Sequence, residues 1–423
     1  MDGNLLLILR DRDTALYLGG RTVSAFGDTA MSLAAGIWVK TLTGSDSLAA
    51  LVGFCFWLPT FAGPAIGTVA DRVRRRPLLI GTNLALAGVL ILPLAVRSEQ
   101  HVWLLFVVLG LVGAGTVLAD AAEVALLTAI VPAELRGHLN GLVRTALESA
   151  KLLAPLAGAG LFALAGGHAV ALLDSLTFLA TALVFALIRT REAAPAPSRR
   201  PWRKELGAGV GYLWSHATLR PLVLTGGVAL LASSLSSTAT YALLDVGLGL
   251  TPAFAGVLTA SQGLGSVVSG LTSGALLRRV PERAFAAAGT AAFALGCLLR
   301  AVPWTPGVVL GSLLVGLGLP CPLLAALTAL QRETPDALLG RVAATANTLI
   351  FTPAGLGLLI GTGMVAGLDH RVQLLTAGGL ALVTAAALVR PAARVPTGDV
   401  DPVHPDHADH PDQERLVPAP ERG

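Results

Sequence analysis

Charge is scarce in this chain of 423 residues: only 13% are Asp, Glu, Lys or Arg. A soluble fold of that length carries about twice that share on its surface, so the scarcity excludes an ordinary water-soluble domain. Cysteine is scarcer still. Cys55, Cys297 and Cys321 all lie in apolar runs without paired spacing, which excludes a disulfide framework and points to no metal centre. A GxxxxGK[ST] phosphate loop and a histidine pair at metalloprotease spacing are both missing. An ATP-driven pump and an intramembrane protease therefore have no sequence basis, and no cofactor motif takes their place. What is abundant is grease. Hydrophobic residues make up 54% of the chain, and mean hydropathy is +0.71. Lipid is the solvent this composition requires.

A run of about 20 apolar residues crosses the hydrocarbon core of a bilayer. By that measure twelve spans are predicted, at 14–42, 48–69, 77–97, 101–126, 136–163, 168–189, 219–245, 252–276, 283–302, 306–330, 338–367 and 371–390. The first is preceded by "LRDRDTALYLGGR" and lacks a short apolar stretch with a small-residue cleavage site, so no cleavable signal is expected. The net charge of +4 marks topology rather than nucleic-acid binding. With both termini in the cytoplasm, 24 of the 30 Lys and Arg fall inside, four outside (Lys40, Arg97, Arg300, Arg371) and two within a span (Arg144, Lys151). The opposite orientation inverts that ratio and breaks the positive-inside rule.

The halves repeat. Sliding the chain on itself by 203 residues superposes eight of the 23 glycines in residues 1–220 on glycines, among them Gly67 on Gly270, Gly113 on Gly316 and Gly158 on Gly361. Random placement gives roughly 2 or 3. The expected architecture is an all-α membrane protein of twelve transmembrane helices in two parallel six-helix repeats, about an axis along the membrane normal. Residues 1–189 and 219–390 form the bundles. Residues 190–218 form a basic, Pro-rich cytoplasmic linker in which Trp202–Trp214 suit an interfacial helix. Residues 391–423 form a polar tail expected to be disordered, and its His404, His407 and His410 read as solvated low complexity rather than a metal site.

One loop stands out: "GTVADRVRRRP", residues 67–77, packs five charges between two apolar runs. Together with the twelve spans and a weaker copy after the eighth, it resembles the major facilitator superfamily. Gly67, Asp71, Arg72, Arg75 and Arg76 occupy the places of that family's G-x-x-x-D-R-x-G-R-R signature, and Arg74 stands where glycine is usual. The resemblance implies the major facilitator fold and a loop that locks the halves on the cytoplasmic side when the cavity faces outward. Gly274 stands opposite Asp71 in the second copy, so the lock is asymmetric. The stretches "FGDTA", "WVKTLTGSDSLAALVG", "VPAELRGHLNGL", "ELGAGVGYLWSHATLRPLV" and "TPDALLGRVAA" are similar to bacterial efflux members related to enterobactin and macrolide exporters. "APLAGA", 154–159, resembles the exporters' G-P-x-x-G-G element and keeps Pro155 and Gly158, with alanines in place of two glycines. Leu109 occupies the place of an arginine usual in the fourth span.

Ionisable side chains at membrane depth are costly and mark function by default. Arg144, Glu148 and Lys151 share one face of the fifth span at i, i+4 and i+7. At 1.5 Å per residue Glu148 lies about 18 Å along from Arg136, near the midplane. The triad reads either as an internal ion pair or as a cavity site for substrate or proton. Asp28 in the first span is the other candidate, because burial in low dielectric disfavours its charge and makes it a proton carrier; a plain hydrogen-bonded aspartate is the competing reading. Asp120 and Glu123 are expected to partner Arg136 or Arg144, with a coupling role as the alternative. Asp174 and Asp245 are placed near the outer ends of their spans, where water reaches. Trp38 and Trp57, with Phe54, Phe56 and Phe61, suit packing or an aromatic substrate wall. Gln262 and Asn347 suit interhelical hydrogen bonds or ligand contacts. Pro320 and Pro322 remove two backbone donors and must kink the tenth span.

The resulting expectation is a monomeric transporter in the bacterial inner membrane. It exports an amphipathic small molecule against proton influx by alternating access, with no cofactor and no nucleic acid. The alternatives are an importer or facilitator of a polar solute on the same fold, and a non-transporting sensor or scaffold.

Overall fold

Among the described residues the apolar runs become helices. The computed structural model describes the backbone of residues 11–63, 66, 72–130, 133–189 and 210–389; the side chains of 124–125, 128–130, 133–138, 140–141, 144–145, 148, 151, 336–337, 339–341 and 344 are not described. The elements are α1 (Arg12–Thr43), α2 (Asp46–Trp57), α3 (Arg75–Val89), α4 (Val102–Ile130), α5 (Ala133–Leu187), α6 (Leu219–Thr238), α7 (Ala255–Leu277), α8 (Glu282–Arg300), α9 (Thr305–Gly318), α10 (Pro320–Glu333), α11 (Asp336–Gly367) and α12 (His370–Val389). Local chemistry sets their ends. The Asp11 side chain accepts the Thr14 N–H at 2.9 Å to start α1. Gly44, at φ 66, stops it with its N–H on the Lys40 carbonyl, and Ser45 accepts from Leu48 N to start α2. These are a side-chain N-cap, a left-handed glycine C-cap and a second N-cap within one tight connection.

Nine helices among the described residues are long and apolar enough to cross a membrane. α1 is not counted among them: it carries Arg12, Asp13, Arg21, Asp28 and Lys40 along its 32 residues. One of the nine, Leu152–Leu187, has 36 residues. At 1.5 Å per residue it would be about 54 Å long, far beyond a hydrocarbon core of about 30 Å. The chain resolves this at Gly166, whose φ of 74 and ψ of 177 break α5 into two arms. The tenth predicted span divides at Leu319 between α9 and α10, where the backbone stays helical at φ −58 and ψ −41. Pro320 and Pro322 follow immediately and lack the donors that would continue the backbone ladder, without a break of the kind at Gly166. Of the linker, residues 210–215 are helical; residues 190–209, like the tail from 390 on, lie outside the described residues.

Glycines 203 residues apart make matching contacts. A side chain on Gly113 would strike the Phe56 carbonyl, and one on Gly316 the Gln262 carbonyl. Gly158 sits likewise on Ala30 in α1, and Gly361 on Thr238 in α6. Small residues let these helices approach to backbone contact in lipid.

The buried apolar residues divide by depth. At the end of the molecule carrying Gly44 and Gly249, one cluster joins α1, α2, α4 and α5 (Ile37, Trp38, Val52, Leu109, Val170) to the chain after α6 and the start of α7 (Tyr241, Leu244, Leu258). At the other end the clusters among the described residues are separate. Tyr17, Leu79, Leu126 and Phe185 make one from the first 190 residues, and Leu213, Phe285, Leu330 and Ile350 make another from later residues alone.

Candidate functional site

Where the shared core ends, a cavity of about 380 Å3 opens. Asp28, Thr29, Ser32, Leu33 and Gly36 line it from α1; Ala49, Ala50, Val52, Gly53 and Phe56 from α2; Pro155 from α5; Ser237 and Thr238 from α6; Tyr241 just beyond; Thr259 from α7; and Leu358 from α11. The described walls are largely apolar, with a few hydroxyls and, among the described residues, a single acid. Thr29 Oγ1 donates to the Ala25 carbonyl, Ser237 Oγ to Ser234 and Thr259 Oγ1 to Ala255, at 2.7–2.9 Å. Each hydroxyl spends its proton on its own helix, which leaves its oxygen free to accept. Asp28 Oδ1 is buried without a hydrogen-bond partner.

The cavity is closed toward the Gly44 end. Lys40 Nζ lies 2.9 Å from Asp46 Oδ1 and 2.6 Å from Asp245 Oδ2, and donates to the Gly44 carbonyl at 2.9 Å. Below it the Tyr241 ring occupies the space left by Gly36, and its hydroxyl donates to the Leu33 carbonyl at 3.4 Å. Asp245 is exposed, and its partner comes from the other half of the chain. Lys40 itself is buried, a cation held by two acids rather than a solvated loop marker.

Asp120 and Glu123 meet Arg21; the side chains of Arg136 and Arg144, their expected partners, lie outside the described residues. Arg21 Nη2 is 2.7 Å from Asp120 Oδ1, and its Nε is 3.5 Å from Glu123 Oε2. Tyr17 Oη donates to Glu123 at 3.0 Å. Tyr17, Arg21 and Asp28 recur at i, i+4 and i+11, one face of α1. That spacing was the available signal for Arg21, and the sequence reading passed over it. Asp174 corrects an expectation: it is fully buried rather than within reach of water, because α1 covers it. Arg300, counted among the outer cations, is buried at the C-terminus of α8 and donates to Ser236 Oγ and Thr240 Oγ1 at 2.8 and 3.0 Å. A helix C-terminus favours a cation there.

The other candidates divide. The side chains of Arg144, Glu148 and Lys151 lie outside the described residues, as do Gly67 and Asp71. Arg72 is exposed. Arg75 opens α3, and Arg76 donates from Nε and Nη2 to the Phe185 and Ala186 carbonyls at 2.9 and 2.5 Å. The signature's last arginine therefore caps the C-terminal turn of α5, where unsatisfied carbonyls and the helix dipole attract it. Pro155 faces the cavity, and its carbonyl abuts Gly256 of α7. Trp38 is packing, not wall: it is buried, stacks edge-on against His168 at 4.8 Å between centroids, and lies over Gly167. Of the aromatics expected to form a wall, Phe56 lines the cavity; half-buried Trp57 is not among the lining residues. Gln262 is half-buried and Asn347 exposed, and neither lines the cavity.

Solved structures share this architecture. A peptide transporter POT in complex with alafosfalin superposes with a TM-score of 0.70 at 18% identity, over 89% of this chain and 93% of that one. The nucleoside transporter NupG gives 0.67 at 14%, over 89% and 99%. A bacterial homologue of the iron transporter ferroportin in its inward-facing state gives 0.65 at 16%, over 88% and 98%. At such identities the likeness is one of fold. In sequence, the chain is 27% identical over 215 residues to macrolide efflux protein A of Streptococcus pyogenes, covering 49% of this chain and 52% of that protein. It thus spans about half the length of the curated relatives it matches. The family profile described as Major Facilitator Superfamily matches residues 17–246, over half of the chain. With helices packed around a cavity that is closed at one end, and with that match, this chain belongs to the major facilitator superfamily of multi-pass membrane transport proteins.

Proposed function

We propose that the chain is a proton-coupled exporter of an amphipathic small molecule, working by alternating access in a bacterial inner membrane. The observation that carries this reading is the cavity: about 380 Å3, apolar-walled, with acceptor hydroxyls and Asp28 as the one acid among its described lining residues. Its size falls in the range of small-molecule sites, about 300–1,000 Å3. A mostly greasy chamber with a single acid suits a neutral or cationic amphiphile. An acid whose buried oxygen has no partner suits proton exchange. The likeness to macrolide efflux protein A supports export.

Twelve spans are reached from nine by adding α1, adding Asp46–Ala62 with the residues after it, and dividing α5 at Gly166. The matched glycine contacts support two parallel six-helix repeats. With the arginine-rich loop and both termini in the cytoplasm, the Gly44 end faces outward. The separate cores then lie on the cytoplasmic side, which makes this an inward-facing arrangement.

The test is dye efflux from cells with and without the protein, alongside drug susceptibility. Export should stop when a protonophore collapses the gradient; unchanged efflux rejects antiport. A second reading is carried by the cavity hydroxyls of Thr29, Ser32, Ser237 and Thr259: uptake of a polar solute. Accumulation, rather than loss, of labelled solutes in expressing cells would select it. Normal cellular function with Asp28 and Glu148 both neutralised would instead favour a sensor or scaffold.

A further inference from the structure

Three carboxyl oxygens in the first half are buried without a hydrogen-bond partner. Asp46 Oδ1 has the Lys40 ammonium at 2.9 Å, which leaves Asp28 Oδ1 in α1 and Asp174 Oδ2 in the second arm of α5. Asp174 is fully buried, and its other oxygen accepts from Thr177 Oγ1 at 3.1 Å. Gly27 is what lets Asp174 reach α1 next to Asp28. A Cβ at that position would overlap both Asp174 Oδ1 and Thr177 Oγ1, so the Asp174 carboxyl fills the space of the missing side chain. It therefore abuts the turn of α1 whose next residue is Asp28, and the two acids act on each other electrostatically. Asp28 also faces the cavity, whereas Asp174 is not among its lining residues.

The surroundings offer little compensation. Arg21, the cation on the same face of α1, is engaged by Asp120 and Glu123 of α4, with Tyr17 on Glu123. α2 brings Cys55 and, at its outer end, Asp46 held by Lys40. Tyr241 faces the cavity from beyond α6. The first arm of α5 carries Arg144, Glu148 and Lys151, whose side chains lie outside those described. A buried carboxylate without a cation is costly, and two neighbouring ones cannot both stay ionised. A proton held between them leaves one negative charge and satisfies an orphaned oxygen on each.

We propose that Asp28 and Asp174 form a carboxyl pair that shares one exchangeable proton, Asp28 trading it with the cavity and Asp174 keeping it from water. This rests on the proton-exchange reading above and adds to it a second acid that never touches substrate. In each cycle the proton passes from cavity water to a carboxylate oxygen of Asp28 and is then shared with Asp174. It returns to water when the cavity opens to the other side. Asp174 is a positioning residue in this scheme.

Infrared pH-difference spectroscopy of the purified full chain, which requires no transported substrate, reads the C=O stretch of protonated carboxyls. The wild type should show a band that Asp28→Asn and Asp174→Asn each remove or displace, because each acid sets the frequency of the other. Thr177→Val should displace the band without removing it. A band untouched by Asp174→Asn overturns the pair while leaving Asp28 free to exchange protons alone, so the exporter reading would survive. Normal gradient-driven efflux in Asp28→Asn would sink the exporter reading instead. If Asp174→Asn fails to fold, Asp174→Glu and Thr177→Val carry the same readout, and an unmoved band in both overturns the proposal.

Discussion

A missing side chain does as much in this protein as a charged one. Gly113 and Gly316 sit on the carbonyls of Phe56 and Gln262, so Gly113→Val must push α4 from α2. Overpacking of that kind costs on the order of 1–3 kcal/mol, and thermal unfolding in detergent should show it. Gly81 has open space where a Cβ would go. Gly81→Ala should therefore be neutral or raise stability by up to about 1 kcal/mol, from helix propensity alone. Equal losses at the two positions would remove the packing argument. Trp38 belongs to the same logic: Trp38→Ala should lower stability by about 3–5 kcal/mol, as loss of a large core aromatic does, without changing which dyes are exported. Asp28→Asn should do the reverse, abolishing proton-driven efflux in vesicles while leaving insertion and thermal stability near wild type.

Among elements, the clasp at the Gly44 end decides which way the cavity faces. Lys40 in α1 bridges Asp46 at the start of α2 and Asp245 beyond α6. Lys40→Gln leaves two acids without their cation, so the outer end should loosen. With the native cysteines replaced and Ser237→Cys introduced, maleimide labelling from the outer side should rise several-fold over the same protein with Lys40 intact. Asp245→Asn should produce a smaller rise, because Asp46 still holds Lys40. Equal labelling in all three would mean that the apolar contact of Tyr241 on Gly36, rather than charge, holds the end shut. Arg76 shows why a motif is only half legible: its spacing in "DRVRRRP" marks a charged loop, but its targets, the Phe185 and Ala186 carbonyls, are 110 residues away and depend on how α5 returns.

For the whole molecule, topology is open to direct test. Cysteines placed at Gln100 and at Ala393 should be labelled from opposite faces of the membrane, Gln100 from outside; labelling from one face would overturn the two-repeat reading and its orientation. The cavity lies between elements more than 200 residues apart, so no local pattern could locate it. Asp28 was legible as a candidate because a charge inside an apolar run is conspicuous in one dimension, and Pro155 through the resemblance of 154–159 to the exporters' element. Asp174 was misplaced because depth was counted from the ends of its span, whereas its burial comes from α1 lying across it.

The composition and periodicity of the chain determined that it lives in lipid, that it is built of helices and where most of them run, because the bilayer imposes one length and one polarity on every crossing. The tertiary structure alone decided which charges meet. Lys40 with Asp245, Arg21 with Glu123, and Asp174 against Gly27 are contacts between elements distant in sequence, and hydrophobicity along a single helix carries no record of its neighbour.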